Sequence, residues 1–352
     1  MTSSHLTGPR TLVVRLDSAG DVLLAGPAVR AVAAGSAHTA MLCGPLGEPA
    51  ARLLPGVDEV LVHNAPWVGF SAPPVRRETT DALVDSLAAR RFDRALILSS
   101  YHQSPLPAAL LLKLAGIPWT AADSEHYPGT LLDLRHRRAP HHHEARAALD
   151  LAEAAGFALP PGDEGALRLT VLPDTAPLTG DDPYVVVHPG AAVPARAWSP
   201  ERAARAVAAL DEAGHRVVVT GSPAEKELTA DVADGIALDL GGRTGFPELA
   251  GVLAGAGVVV TGNTGPSHLS AAVGTPVVCL FAPVVPAERW APYRVPHRLL
   301  GRQEAPCAAS RARVCPVPGH PCLDSVTDTD VLAAVDALLA CRARDDRPEA
   351  TA

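Results

Sequence analysis

Aromatic residues are scarce in this chain, at 4% of 352 residues, and no apolar run approaches the roughly 20 residues that cross a bilayer. A membrane-spanning helix is therefore not expected. The opening residues, MTSSHLTGPR, carry no apolar signal segment. Cytoplasmic location is the expectation, with a peripheral contact with the inner membrane face left open. Basic charge is not in excess either. The formal net charge is -8, so no basic face is evident for nucleic acid, and no nucleic-acid partner is expected. No G-x-G-x-x-G opens either half, which argues against an NAD oxidoreductase. The six cysteines include no C-x-x-C pair. Cys43, Cys279 and Cys341 read as small core residues. Cys307, Cys315 and Cys322, in a Pro-rich loop near His320, read as reduced thiols or, against the usual ligand spacing, a zinc site.

What is abundant is aliphatic. Hydrophobic residues make up 47% of the chain, with many Ala, Val and Leu. That suits Val-rich parallel strands covered by Ala/Leu helices, and the length allows about two domains with real cores. The stretch 258–283 shows the plan most clearly. Val258, Val259 and Val260 make a buried-strand run, the chain breaks at Gly262–Pro266, and an Ala-rich helical pattern precedes a second apolar strand at 277–281. Strand, glycine-bearing loop, helix, strand is a βαβ unit whose loop lies at the carboxyl end of the sheet, where amides at a helix start suit a phosphate.

The same pattern opens the chain. Residues before Arg10 read as a lead-in, residues 11–16 as a strand, and a helical pattern through Val22, Leu24, Val29 and Val32 stops at Gly35. Asp21 sits where that helix begins, either as a helix N-cap or as a carboxylate at the mouth of a cleft. Strands are expected at 39–43, 59–62 and 94–98, with a helix near 80–90. A polar loop holding Tyr101, His102 and Gln103 then reads as a hydroxyl-binding rim or a solvated connection, before a helix through Leu114. The segment 133–144, with His136, Arg135, Arg137, Arg138 and His141–His143, reads as a solvated loop or a basic patch, because adjacent His side chains in a helix diverge. Residues 159–183, rich in Pro and Gly, read as the interdomain linker, with an edge strand at 167–171.

After the linker, a strand at 184–188 leads through Arg196 to Ser199, which caps a helix with Pro200 at its first position. Strands at 217–220 and 237–240 end in small or polar loops. Thr327 and Asp330 form a capping-box pattern before the last helix, and the residues after Arg344 read as a loose tail.

Several of these motifs, in this order, resemble glycosyltransferase family 9, the ADP-heptose:lipopolysaccharide heptosyltransferases. They are RLDSAGDVLLAGPAVRAV, HPGAAVPARAWSPERAARAV, VVVTGSPAEKE, LGGRTGFPELAGVLAGAGVVVTGNTGPSHLSAAVGTPVVCLF and PVVPAERWAPY. The resemblance implies an α/β GT-B architecture, two Rossmann-like domains with parallel sheets facing a central cleft. It divides the chain into residues 1–178 on the acceptor side, 179–325 on the nucleotide-sugar side, and a C-terminal helix and tail, 326–352, that has the option of packing back on the first domain. It implies metal-independent, inverting transfer from a nucleotide-diphosphate sugar, ADP-heptose first among donors, with no cofactor. The acceptor would be a glycan, glycolipid or small molecule.

By the same resemblance Asp21 is the general base, and Ser18, Gly20, Tyr101, His102 and Gln103 lie on the acceptor side. Arg196, which by itself reads as a pyrophosphate contact or a surface salt bridge, matches the position facing the donor diphosphate, and Glu225 the one at the donor ribose. Asn263, Thr264, Gly265, Pro266, Ser267 and His268 match the signature loop, with His268 reading equally as a helix-start residue packed in the core. Asn263 departs from the commoner Asp, and Ala191 and Ala192 stand where hydroxyl residues would offer more phosphate contacts. A GT-B sugar-nucleotide epimerase and a non-catalytic nucleotide-sugar-binding protein are the alternatives.

Overall fold

The computed structural model describes residues 8–69 and 71–345. Most of the lead-in expected before Arg10, and the tail expected after Arg344 apart from Asp345, lie outside the described residues. The chain divides into two compact units, Met1–Thr170 and Val171–Ala352.

The first unit runs β1 (Arg10–Arg15), α1 (Ala19–Leu24), α2 (Gly26–Ala34), β2 (His38–Cys43), α3 (Glu48–Ala51), β3 (Glu59–Val62), α4 (Arg77–Arg90), β4 (Arg94–Ile97), α5 (Leu106–Leu114), β5 (Trp119–Asp123), β6 (Leu134–His136) and α6 (Glu144–Ala154). The six strands pair in parallel in the order β3-β2-β1-β4-β5-β6. Central β1 is buried from Thr11 to Arg15, as a strand covered on both faces must be. Leu12, Val14, Ala40, Leu42, Ala95 and Ile97 meet Leu87, Ala109 and Leu112 of the covering helices in one core.

The second unit runs α7 (Ala176–Thr179), β7 (Val185–His188), α8 (Pro200–Glu212), β8 (Val217–Val219), α9 (Lys226–Ala233), β9 (Leu238–Asp239), α10 (Phe246–Gly255), β10 (Val258–Gly262), α11 (Gly265–Ala272), β11 (Val277–Leu280), α12 (Ala287–Trp290), β12 (His297–Leu300), α13 (Pro321–Asp324) and α14 (Asp328–Asp345). Its parallel sheet is ordered β12-β11-β10-β7-β8-β9. Counted from β7 as the first strand, this is again 3-2-1-4-5-6, the order of the first sheet. Ser199 Oγ accepts from the Arg202 amide and starts α8, whose Ala203, Val207 and Leu210 are buried. Thr327 and Asp330 bond reciprocally at the start of α14. Val331, Val335 and Leu338 of that helix belong to the second unit's core, beside Val207 and Val258.

Four expectations need correcting. The helix expected to run on to Gly35 is two helices, because Pro27 has no N–H to donate and its ring would clash with a carbonyl one turn back; α1 ends at Leu24, with Ala25 as its C-cap. Residues 167–171 form no strand, and Val171 is almost wholly exposed. The segment 133–144 is not loop throughout, since Leu134–His136 is edge strand β6. Cys341 is half-buried rather than core, whereas Cys43 and Cys279 are buried. Among the described residues no helix is long and apolar enough to cross a membrane. Among them, too, no group of three or more His, Cys, Asp or Glu side chains is placed to hold a metal ion.

Candidate active site

In a 3-2-1-4-5-6 sheet, successive connections leave the two central strands for opposite faces, so a crevice opens between their carboxyl ends. In the first unit those strands are β1 and β4, and in the second β7 and β10. The loops that follow them are 16–18 and 98–105, then 189–199 and 263–264. These loops and the first turns of α1 and α11 hold the site residues singled out from sequence, apart from Glu225, which follows β8.

At the first crevice, Asp21 is not the N-cap of α1. Ser18 occupies that position, and no side chain caps the helix. Instead Asp21 Oδ1 accepts from Arg15 Nη2 at 3.0 Å and Oδ2 from Ser18 Oγ at 2.8 Å. Its side chain is 24% exposed, whereas that of Arg15 is 3% exposed. Arg15 Nε also lies 2.9 Å from Asp17 Oδ2, and Nη2 donates to Ser100 Oγ at 2.8 Å. Burial pulls the guanidinium pKa down, but Asp17, Asp21 and Glu144 more than offset it, so Arg15 is held above its ordinary value. Burial pushes Asp17 up; Arg15 and the Gln103 amide oppose this, while Asp21 adds to it.

Of the acceptor-side residues, Gly20 is buried within α1 and Ser18 is exposed. Tyr101 and His102 are exposed and meet edge to face, with ring centroids 5.4 Å apart. Gln103 is tied down, because its amide nitrogen donates to Asp17 Oδ1 and its oxygen accepts from the Ser100 amide. The basic segment that follows is mostly paired. Arg138 bonds Glu144 at 2.5 Å and the Ser99 carbonyl at 2.6 Å, and His136 pairs with Asp123. His142 pairs with Asp150, and His143 accepts from the Ala145 amide at the start of α6. These histidines share no common ligand point.

At the second crevice, the turn carrying Arg196 packs onto the end of β10 so closely that a Cβ on Gly262 would lie 3.1 Å from the Arg196 carbonyl oxygen. Arg196 Nη1 reaches the Asn263 carbonyl at 3.4 Å. The Asn263 side chain is buried and occupied on both ends: Nδ2 donates to the Ala282 carbonyl at 3.1 Å and Oδ1 accepts from the Ala282 amide at 3.2 Å. An aspartate could supply only the second of these bonds, which accounts for the asparagine here. Ser267 Oγ turns inward to Cys279 Sγ, and His268 is buried within α11. Thr264 Oγ1 is buried with no hydrogen-bond partner among the described residues. It stands at the N-terminus of α11, where the helix dipole favours an anion. Pro266 supplies no amide at this helix start.

Glu225 closes the side of this crevice next to β8. Its Oε2 accepts from the Ser222 amide at 2.8 Å in a capping box, and its carboxylate lies directly over Gly190. Beneath it, His188 Nδ1 shares a 2.9 Å hydrogen bond with Thr220 Oγ1. Burial pushes the His188 pKa down to about 4, with Glu225 pulling the other way, so the ring is neutral at physiological pH.

Sequence reading missed Arg15, Asp17, Asp123 and Glu144. The signal was present in Arg15, a charge set in a run of β-branched and aliphatic residues. A buried charge must find partners, and Asp17 and Asp21 are its nearest acids in sequence.

The family model described as glycosyltransferase family 9 (heptosyltransferase) matches residues 81–320. Lipopolysaccharide heptosyltransferase 3 of Escherichia coli K12 is 33% identical over 106 residues, 28% of this chain and 31% of its own length. The chain thus spans about a third of that curated relative. In structure, a glycosyl transferase family 9 protein from Veillonella parvula aligns over 96% of this chain and 98% of its own, with a TM-score of 0.76 at 18% identity. The E. coli heptosyltransferase WaaC, solved with ADP-2-deoxy-2-fluoro heptose, aligns over 93% and 99% with a TM-score of 0.69 at 23% identity. The α/β GT-B class, with its two Rossmann-like parallel sheets, is shared with these structures. The chain belongs to glycosyltransferase family 9.

Proposed function

We propose that this chain is an inverting sugar transferase that moves a sugar, heptose first, from a nucleotide-diphosphate donor to an acceptor hydroxyl. Family membership supports the reaction class. The ligand in the WaaC structure makes ADP-heptose the first donor to try. The observation that carries the mechanism is the carboxylate of Asp21: partly exposed, capping nothing, and fixed by a buried arginine.

In the proposed step, Asp21 takes the proton of the acceptor hydroxyl while that oxygen attacks the anomeric carbon from the face opposite the diphosphate. The new C–O bond forms as the bond to the diphosphate breaks, and that electron pair leaves on the phosphate oxygen. Arg196 and the positive end of α11 would offset the charge gathering there. Glu225 would accept hydrogen bonds from ribose hydroxyls, for which a carboxylate is suited. Acceptor contacts are assigned to the rim formed by Ser18, Tyr101 and His102, the members whose side chains face solvent.

Asp21→Asn keeps the shape and removes the base. Transfer from ADP-heptose is expected to fall by about 10²–10⁴-fold with ADP affinity unchanged. Undiminished turnover would remove Asp21 from the mechanism. Conversion of the nucleotide sugar without any acceptor would replace transfer with epimerisation.

A further inference from the structure

Arg15 is used more heavily than a structural ion pair requires. One guanidinium faces two carboxylates, Asp17 and Asp21, and also binds Ser100. Only Asp21 among these partners offers a substantial part of its side chain to solvent. Its two oxygens are held differently. Oδ1 faces the buried cation, while Oδ2 faces the hydroxyl of exposed Ser18, a partner that a substrate hydroxyl could displace.

The same cation spans the crevice. Arg15 ends β1, whereas Ser100 lies in the loop after β4, which also carries Tyr101, His102 and Gln103. A second thread runs in parallel, from Arg15 through Asp17 to the Gln103 amide. Moving the guanidinium would therefore move the carboxylate and the loop together.

We infer that Arg15 is a positioning residue for transfer, fixing the Asp21 carboxylate and registering it against the 99–103 loop. This rests on the reading of Asp21 as the base. Lysine at position 15 would keep the charge, but a point ammonium lacks the planar guanidinium whose Nη2 donates to Asp21 and Ser100 while Nε stands in ion-pair range of Asp17.

The test is a double-mutant cycle on the full chain, reading ADP release from ADP-heptose with a panel of simple glycosides and an inner-core lipopolysaccharide as acceptors. Arg15→Lys is expected to lower kcat by about 10–100-fold, since a misplacement on the order of 1 Å costs about that much, and to leave ADP Kd within about twofold. In the Asp21→Asn background the same substitution should change the residual kcat by less than about threefold, because groups acting as a unit are not additive. Equal losses in both backgrounds would overturn the inference while leaving Asp21 as base. Undiminished turnover of Asp21→Asn alone would sink the base, and Arg15's role with it. Should Arg15→Lys fail to fold, Ser100→Ala removes only the link across the crevice. Its smaller loss of kcat must likewise vanish in the Asp21→Asn background, and its persistence there refutes the inference.

Discussion

The contact between Gly190 and Glu225 gives a sharp way to probe the second crevice. A Cβ at position 190 would stand 2.1 Å from Glu225 Oε1, 2.4 Å from Cδ and 2.8 Å from Oε2. No real Cβ comes so near, so in Gly190→Ala the carboxylate must move by on the order of 1 Å. It sits at the end of a flexible side chain, which makes the move cheap for the fold. What is lost is the bond from the Ser222 amide, one half of a capping box. Caps are worth about 1 kcal/mol, so the stability cost should be of that order.

Binding should suffer more. If the carboxylate accepts from ribose hydroxyls, displacing it forfeits hydrogen bonds to a charged group, about 1.5–3 kcal/mol, or roughly 10–150-fold in Kd for ADP. Calorimetric titration with ADP, beside a melting curve for each protein, separates the two effects. Glu225→Ala should show the same weakening, and adding Gly190→Ala to it should change ADP affinity no further. ADP affinity within twofold of wild type in Gly190→Ala would refute the assignment of Glu225 to the ribose.

Two further expectations concern pH. His188 is neutral when folded, with a pKa pushed down to about 4, against about 6.5 for a free imidazole. The unfolded chain therefore binds the extra proton between those values. The stability this gives is complete above about pH 6.5 and is lost on acidification towards pH 4, by roughly 3 kcal/mol at about 1.4 kcal/mol per unit. Melting of His188→Asn across this range should lack that slope, and an identical slope would clear His188 of responsibility. The Asp163 carboxylate is held down to about 2, first by hydrogen bonds from Arg30 Nε and Nη2, which tie α2 to the 160s loop. Its contribution is present above about pH 4 and lost as pH falls towards 2. Asp163→Ala should therefore cost about 2 kcal/mol at neutral pH and little at pH 2, and equal costs at both would contradict the pairing.

Much of this architecture is local and so was legible in sequence. Ser199–Pro200 announces α8 because a hydroxyl and a pre-set φ act within one turn. Val258–Val260 reads as a buried strand because only a sheet covered on both faces accepts so unbroken an apolar run. Where reading failed, the deciding interaction was remote. Alternation at 167–171 resembles a strand, yet no edge pairs with it, and a single bond from the Thr170 amide to the Leu53 carbonyl is its nearest substitute for a ladder. Edge strands β6 and β12 were not recognised because each is short and only half-buried, with no clean alternation to mark it. In the candidate site, Asp21, Arg196, Glu225 and the Thr264 loop were recognisable as motif members. Arg15 and Asp17 stand close to Asp21 in sequence, but their bonds to Ser100 and Gln103 reach a loop that no window on the sequence contains.

The cysteines that looked like a metal site have a different consequence. All six are free thiols; Cys43, Cys279, Cys307 and Cys322 are buried, while Cys315 and Cys341 are partly open to solvent. Burial raises Cys322 to about 11, with Cys307 and Cys315 adding to the rise, and Cys279 to about 12, so neither is the reactive thiolate at neutral pH. The chain thus carries its own stopwatch. Two thiols tick with the solvent, and four are silent until the core around them opens, Cys43 reporting on one half and the other three on the other.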